Sequence, residues 1–280
     1  MSIAENGWTR FWNRGGWWRA ALAVAVYWGI YELLGLALST IFADFIDVDD
    51  PLSSPLSVFF GVALPILVAG ALLLLFVWSL GWMGEIFGRQ PIAGRPWMWV
   101  AVILVVVPIV LRLVGTNWSA YSVTLVLAVL FLGLCVGFTE ELATRGIAVN
   151  LLRRGGHGER VVYVLSSLLF ALLHAGNLIS GMSLAVVGVT VLYTFGFGAM
   201  MYLSLRVTGR VFWVMLLHAA TDPVTMLAVG GIDAHSDAVG GLSGLTTIAG
   251  LFNYVYILLA LVAIFLVRNR DRERESSDAR

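Results

Sequence analysis

The chain predicts an all-α polytopic membrane protein, an eight-helix transmembrane bundle with both termini in the cytoplasm. Three observations carry that expectation: an apolar composition, eight apolar windows of bilayer length, and arginines confined to alternate connections. Of 280 residues, 60% are hydrophobic and 12% charged, with a mean hydropathy of +0.91. Soluble domains carry about 25% charged residues, so a water-soluble fold is excluded. The formal net charge is zero, which argues against a nucleic-acid partner. The one cysteine, Cys135, excludes an intrachain disulfide and any paired-cysteine metal site. It reads as a small buried hydrophobe.

The elements follow in order. Residues 1–19 interleave Trp8, Trp12, Trp17 and Trp18 with Arg10, Arg14 and Arg19, the pattern of an interfacial anchor. The apolar run from Ala20 to Phe42 is roughly twice the length of a signal-peptide core and lacks a cleavage site, so it reads as a retained first span. Further windows near the ~20 residues that cross hydrocarbon fall at 56–80, 97–114, 120–152, 161–176, 184–205, 211–229 and 245–267. The fourth is longer than a bilayer requires, so its last third is expected in the cytoplasmic interface. Gly181, Gly188 and Gly196 are expected to let span six pack closely against its neighbours.

Arginine placement then alternates. The N-terminus and the connections 81–96, 153–160 and 206–210 carry it, as does the tail 268–280; the loops 43–55, 115–119, 177–183 and 230–244 carry none. The positive-inside rule puts both termini in the cytoplasm, which requires an even number of spans. No repeat or second soluble domain is visible. The chain is therefore expected to be a single membrane domain over 1–280, with a motif-bearing core at 120–229 and a solvated charged tail.

Against this apolar background, three motifs place ionisable groups inside spans, where a charge costs at least ~2.5–3.5 kcal/mol. They are Glu140-Glu141-x-x-x-Arg145, Phe170-x-x-x-His174 and His218-x-x-x-Asp222. Glu141 and Arg145 are one helical turn apart and read as a structural ion pair. Glu140 points about 100° away around the helix with no local partner, as a general base or acid requires. Along a helix, Glu140 lies ~20 Å and His174 ~21 Å from the connection they share, which gives them matched depth on antiparallel spans. His218 and Asp222 share one face of span seven in the same broad layer, where Pro223 should kink the helix and free the Ala219 carbonyl for a water or a substrate amide.

Each motif by itself has a plainer reading: a helix-to-helix hydrogen bond for either histidine, a structural pair for Glu141 and Arg145. Arg112 reads as a snorkelling side chain near the outer end of span three, and Glu32 as a carboxylate paired with a polar neighbour. His157 and His235 read as solvated loop residues. The conjunction of two histidines, an unpaired carboxylate and Asp222 at one depth reads instead as a hydrolytic site, with Glu140, His174, His218 and Asp222 as its catalytic set. Glu140, His174 and His218 also make a plausible zinc ligand set with an open position for water. A metal-free mechanism uses the same side chains, and there is no HExxH motif to decide between them.

In order and on successive spans, the three motifs resemble the CPBP family of intramembrane proteases, which includes the CAAX prenyl endopeptidases and the bacterial Abi proteins. The resemblance covers 140 to 222. It implies an eight-helix bundle around a water-filled cavity open to the cytosol, with Glu140 activating water, His174 assisting, and His218 with Asp222 stabilising the oxyanion or completing the water shell. Two residues depart from the family pattern. Thr144 stands where an aromatic is common, and Asp222 occupies a position that is often Asn. An ionised Asp222 would repel an oxyanion, which leaves it protonated, orienting His218, or ligating a metal.

The expected partners are the lipid bilayer and a membrane-associated peptide or protein substrate, with the bacterial plasma membrane as the location. Two other functions fit parts of the pattern. One is a non-catalytic immunity or scaffold protein that keeps the bundle. The other is a proton-coupled transporter, which would be expected to show inverted repeats and broken helices in both halves.

Overall fold

A computed structural model describes residues 6–179, 181–231 and 244–268. His235 and the tail beyond Arg268, both expected to be solvated, lie outside the described residues. Among the described residues, eight helices are long and apolar enough to cross a membrane: Trp17–Ile41, Pro55–Ser79, Pro96–Gly115, Val123–Arg154, Glu159–Leu178, Leu184–Thr208, Val211–Val229 and Gly244–Leu266. They are spans one to eight, each bound within three residues of its expected window, and no strand occurs among the described residues. The protein is an integral membrane protein, with eight candidate spans among the described residues.

Local chemistry starts and stops these helices. Spans two, four and six each begin at a serine whose hydroxyl accepts a backbone N–H of the first turn: Ser54 from Ser57, Ser122 from Leu125, Ser183 from Val186. Spans six and seven end at Gly209 and Gly230 with φ of 74° and 73°, a left-handed cap that glycine adopts without a Cβ clash. Large apolar side chains such as Leu36, Val123, Leu184 and Phe265 face outward, while Thr139, Ser166, Thr190, Ser204 and Thr221 are buried. That inversion of the soluble pattern is stable only where lipid surrounds the bundle. Cys135 is buried among Val129, Leu132 and Val136, as expected of a small hydrophobe.

Several expectations need correction. The N-terminal segment is only partly an interfacial anchor. Trp17 and Trp18 are exposed, but Trp12 on the short helix Gly7–Asn13 is buried, with its ring 5.0 Å from that of Phe76. Of the three glycines expected to pack span six, only Gly196 meets a neighbour, the backbone at Tyr256 and Ile257 of span eight; nothing lies within 4 Å of a Cβ built at Gly188 or Gly181. Span seven runs as one helix from Val211 to Val229 with Pro223 inside it. The Ala219 carbonyl that Pro223 leaves without a donor is covered by span four, because a Cβ at Gly133 would sit 2.7 Å from it.

The arginines at the termini end do more than mark topology. Glu159, at the start of span five and almost fully buried, accepts from Arg153 through both carboxylate oxygens at 2.7 and 2.8 Å, from Arg206 at 2.9 Å, and from the Tyr202 hydroxyl. Arg206 is itself fully buried and donates onward to the carbonyls of Ala93 at 2.7 Å and Arg268 at 3.2 Å. One carboxylate thus ties spans four, five and six to the segment before span three and the end of span eight. Arg153 and Arg206, which in the sequence only mark arginine-bearing connections, are held by charge and hydrogen bonds at the end of the bundle.

Candidate active site

The site depends on how closely spans four and seven can approach. Gly133, Gly137 and Glu141 recur every four residues on one face of span four. At Gly137 a Cβ would lie 2.5 Å from the Ala219 nitrogen and 2.6 Å from the Met215 carbonyl oxygen, so only hydrogen fits. This small-residue seam lets the backbones touch. One turn further on, the side chain of Glu141 therefore meets His218. The Gly133-x-x-x-Gly137 signal was present in the sequence, and the reading above placed its glycine seam on span six instead. Gly137→Val is expected to force the helices apart at a cost of about 1–3 kcal/mol. It should also abolish turnover by parting Glu141 from His218. Thermal unfolding and a cleavage assay on the same preparation check both effects.

Glu141 is the hub. It is fully buried; one oxygen accepts from His218 Nδ1 at 2.9 Å and the other lies 3.3 Å from Arg145 Nε. Arg145 completes its coordination with the Thr144 hydroxyl and the Gly198 carbonyl, both at 2.6 Å, and stacks its guanidinium 4.4 Å over the Phe170 ring. Gly198 is a further residue that the sequence reading missed, since a Cβ there would crowd Arg145 and Phe170 at 3.0 Å. The predicted ion pair is present, and it also carries His218.

Immediately after Glu141 the helix widens into a π-helical segment, Leu142–Ala148, a form that recurs at functional sites. Thr144 bridges this junction. Its hydroxyl donates to the Glu140 carbonyl at 2.6 Å while accepting from Arg145, a role that an aromatic side chain could not fill.

His218 is buried between two carboxylates, with Nδ1 on Glu141 and Nε2 3.3 Å from Asp222. The rings of Phe170 and Phe197 meet it edge-on, at centroid distances of 5.6 and 5.2 Å. Asp222 thus stands where it orients His218, one of the three roles left open for it. Donation to both carboxylates needs both ring nitrogens protonated. His174 sits at the α-helical end of span five, where the chain tightens into the 3₁₀ segment His174–Leu178. Its Nδ1 faces the Phe170 carbonyl at 3.4 Å, which leaves Nε2 for the cavity.

Two cavities flank these groups. A larger one, about 330 Å³, is lined by Glu140, His174, His218 and Asp222 together with Arg112, Tyr193, Thr221 and Asn253. A smaller one, about 200 Å³, is lined by Tyr27, Trp28, Tyr31 and Glu32 of span one and by Asn177. Glu140, His174, Asp222 and Met226 belong to both walls. The four residues proposed from sequence are therefore together, and Glu140 and His174 stand between the cavities. Glu140 Oε2 is buried with no hydrogen-bond partner among the described residues.

As arranged, the donors do not fit a metal. Among the described residues, no group of three or more His, Cys, Asp or Glu side chains is positioned to hold one. Both nitrogens of His218 are already committed to carboxylates. The trio of Glu140, His174 and His218 thus lacks a free imidazole lone pair from its third member.

The cavities also extend toward one end of the bundle. Arg112, Val229 and Gly231 in the larger and Gly176 in the smaller lie at span ends next to the arginine-free loops, while Glu140, His218 and Glu32 lie within their spans.

Comparison with protein-family models matches residues 122–224 to type II CAAX prenyl endopeptidases, Rce1-like. That stretch contains all three motifs. Comparisons with curated proteins and with solved structures gave no match.

Proposed function

We propose, with the Rce1-like match over residues 122–224 as premise, that the protein is an intramembrane endopeptidase in which Glu140 activates water against a peptide carbonyl. The observation that carries this reading is Glu140 itself. It is a carboxylate oxygen without a protein partner, beside His174, on the wall that two cavities share. Among the described residues, the other buried oxygens without a hydrogen bond differ: Glu141 Oε2 is ion-paired to Arg145, and Ser204 Oγ lines neither cavity.

In the proposed reaction Glu140 takes a proton as the water oxygen bonds to the carbonyl carbon. It returns that proton to the leaving nitrogen as the C–N bond breaks, giving a carboxylic acid and an amine. His174 Nε2 holds the water in line. Glu141 fixes the His218 ring through the shorter contact, 2.9 Å against 3.3 Å on the Asp222 side, so the Nε2–H is the donor that a developing oxyanion can share. Asp222 orients that ring and balances its charge. No step needs a metal, which is consistent with the donor set.

The substrate is a membrane-associated peptide or protein, and the membrane is the plasma membrane of a bacterium. With cytoplasmic termini, as the arginine distribution favours, the substrate enters from the extracytoplasmic side. The test incubates detergent-purified wild type and Glu140→Gln with a library of membrane-segment peptides and identifies products by mass spectrometry. Products with wild type alone support the reading. Identical product profiles would sink it and leave a non-catalytic bundle.

A further inference from the structure

Arg112 is the residue that the mechanism above does not use and that the sequence reading misplaced. It was expected to snorkel from the outer end of span three. Instead it is 8% exposed and lines the larger cavity, on the same wall system as Glu140, His174, His218 and Asp222. A buried arginine normally spends several of its donors on protein acceptors, as Arg145 and Arg206 do here. Among the described residues, no hydrogen bond or ion pair engages the Arg112 guanidinium. Its charged or polar surroundings are Asp222, Tyr193 and Tyr256, all in the cavity lining. Asp222 is turned to His218, and the Tyr256 hydroxyl donates to the Leu104 carbonyl at 3.1 Å.

We infer that Arg112 is a carboxylate-binding subsite of the catalytic cavity, which selects peptides carrying an anionic group on that side of the scissile bond. A guanidinium fork matches a carboxylate with two parallel hydrogen bonds, and its attraction is strongest where water is scarce. Tyr193 and Asn253 bring a hydroxyl and an amide to the same lining, whereas Thr194, Thr221 and Thr225 donate to carbonyls of their own helices. The smaller cavity has Glu32 where the larger has Arg112, and no arginine lines it. Because the cavities meet at Glu140 and His174, this difference sets the direction in which a peptide lies: anionic end toward Arg112, the other end toward Glu32. The inference rests on the protease reading for its biological meaning, although the binding itself does not require turnover. The carboxylate can come from a chain terminus or from an acidic side chain.

The test uses the full chain in neutral maltoside detergent, with Glu140→Gln to prevent cleavage. Three dansylated apolar hexapeptides are titrated by fluorescence anisotropy: one with a free C-terminal carboxylate, its carboxamide, and a carboxamide with glutamate as the last residue. The expected result is that at least one anionic probe binds on the order of tenfold or more tighter than the neutral one. Arg112→Gln should erase that preference without weakening the neutral probe. Tightening by the free terminus alone identifies a chain end as the ligand, and tightening by glutamate as well admits a side chain. Arg112→Lys keeps the charge and should keep part of the preference, so it serves as the readout if the glutamine variant fails to fold. Equal binding of all three probes, no binding of any, or a preference that survives in folded Arg112→Gln or is lost in folded Arg112→Lys overturns the inference. Absence of cleavage by wild type in the library assay would overturn the protease reading instead, and leaves this result standing.

Discussion

Glu140→Gln is expected to lower turnover by about 10²–10⁴-fold, the usual worth of a positioned general base, with the thermal unfolding temperature unchanged or raised. Its neighbour should behave differently. Glu141→Gln replaces the carboxylate that lies between Arg145 and His218, both of them buried. Removing one partner of a buried ion pair leaves an uncompensated charge and costs about 3–5 kcal/mol. This variant should therefore lose stability as well as activity. The physical difference lies in partners: Glu140 Oε2 has neither a hydrogen bond nor an ion pair to lose, whereas Glu141 binds His218 of span seven and, through Arg145, reaches Gly198 of span six. Circular dichroism melts in detergent, run beside mass-spectrometric turnover on the same samples, separate the two. If both variants melt like wild type, Glu141 is not the hub assigned to it. If both are equally destabilised, Glu140 is structural.

A comparable loss is expected from Glu159→Ala, with no catalytic group involved. Glu159 answers Arg153, Arg206 and the Tyr202 hydroxyl at once, and its removal leaves two guanidiniums without a counter-charge. The cost should again be about 3–5 kcal/mol. Tyr202→Phe removes one donor and keeps the charges, so it should cost only about 1 kcal/mol. His174 lies fifteen residues, or ~22 Å, along the same span. The folded fraction of Glu159→Ala should therefore retain wild-type turnover per molecule. A variant that melts within a degree of wild type would show the network to be dispensable.

Much of the protein was legible because membrane insertion is governed by local properties. A twenty-residue apolar window must be a helix, since hydrocarbon offers its backbone no other hydrogen-bond partner. Eight such windows therefore predict eight spans without knowledge of any contact. The same cost of burying charge made Glu140, Glu141, His174, His218 and Asp222 conspicuous. The Glu141–Arg145 pair followed from one helical turn. Windows and turns carry no information about which faces meet. Arg112, Arg153 and Arg206 look alike in sequence, as arginines near span ends, yet Arg112 lines a cavity and the other two close around Glu159.

What the sequence by itself determined is the class of the protein, the number and extent of its spans, and the short set of ionisable residues worth their burial. Each of these depends on transfer from water to lipid, which a residue undergoes with its own helix. Only the tertiary structure decided that Gly133 and Gly137 form the seam of the site and that Glu141 carries His218. The same is true of the engagement of both His218 nitrogens, and of the position of Glu140 between a cavity lined by Arg112 and one lined by Glu32. Those outcomes depend on how closely two helices approach and how they are rotated, and close packing sets both through residues far apart in the chain.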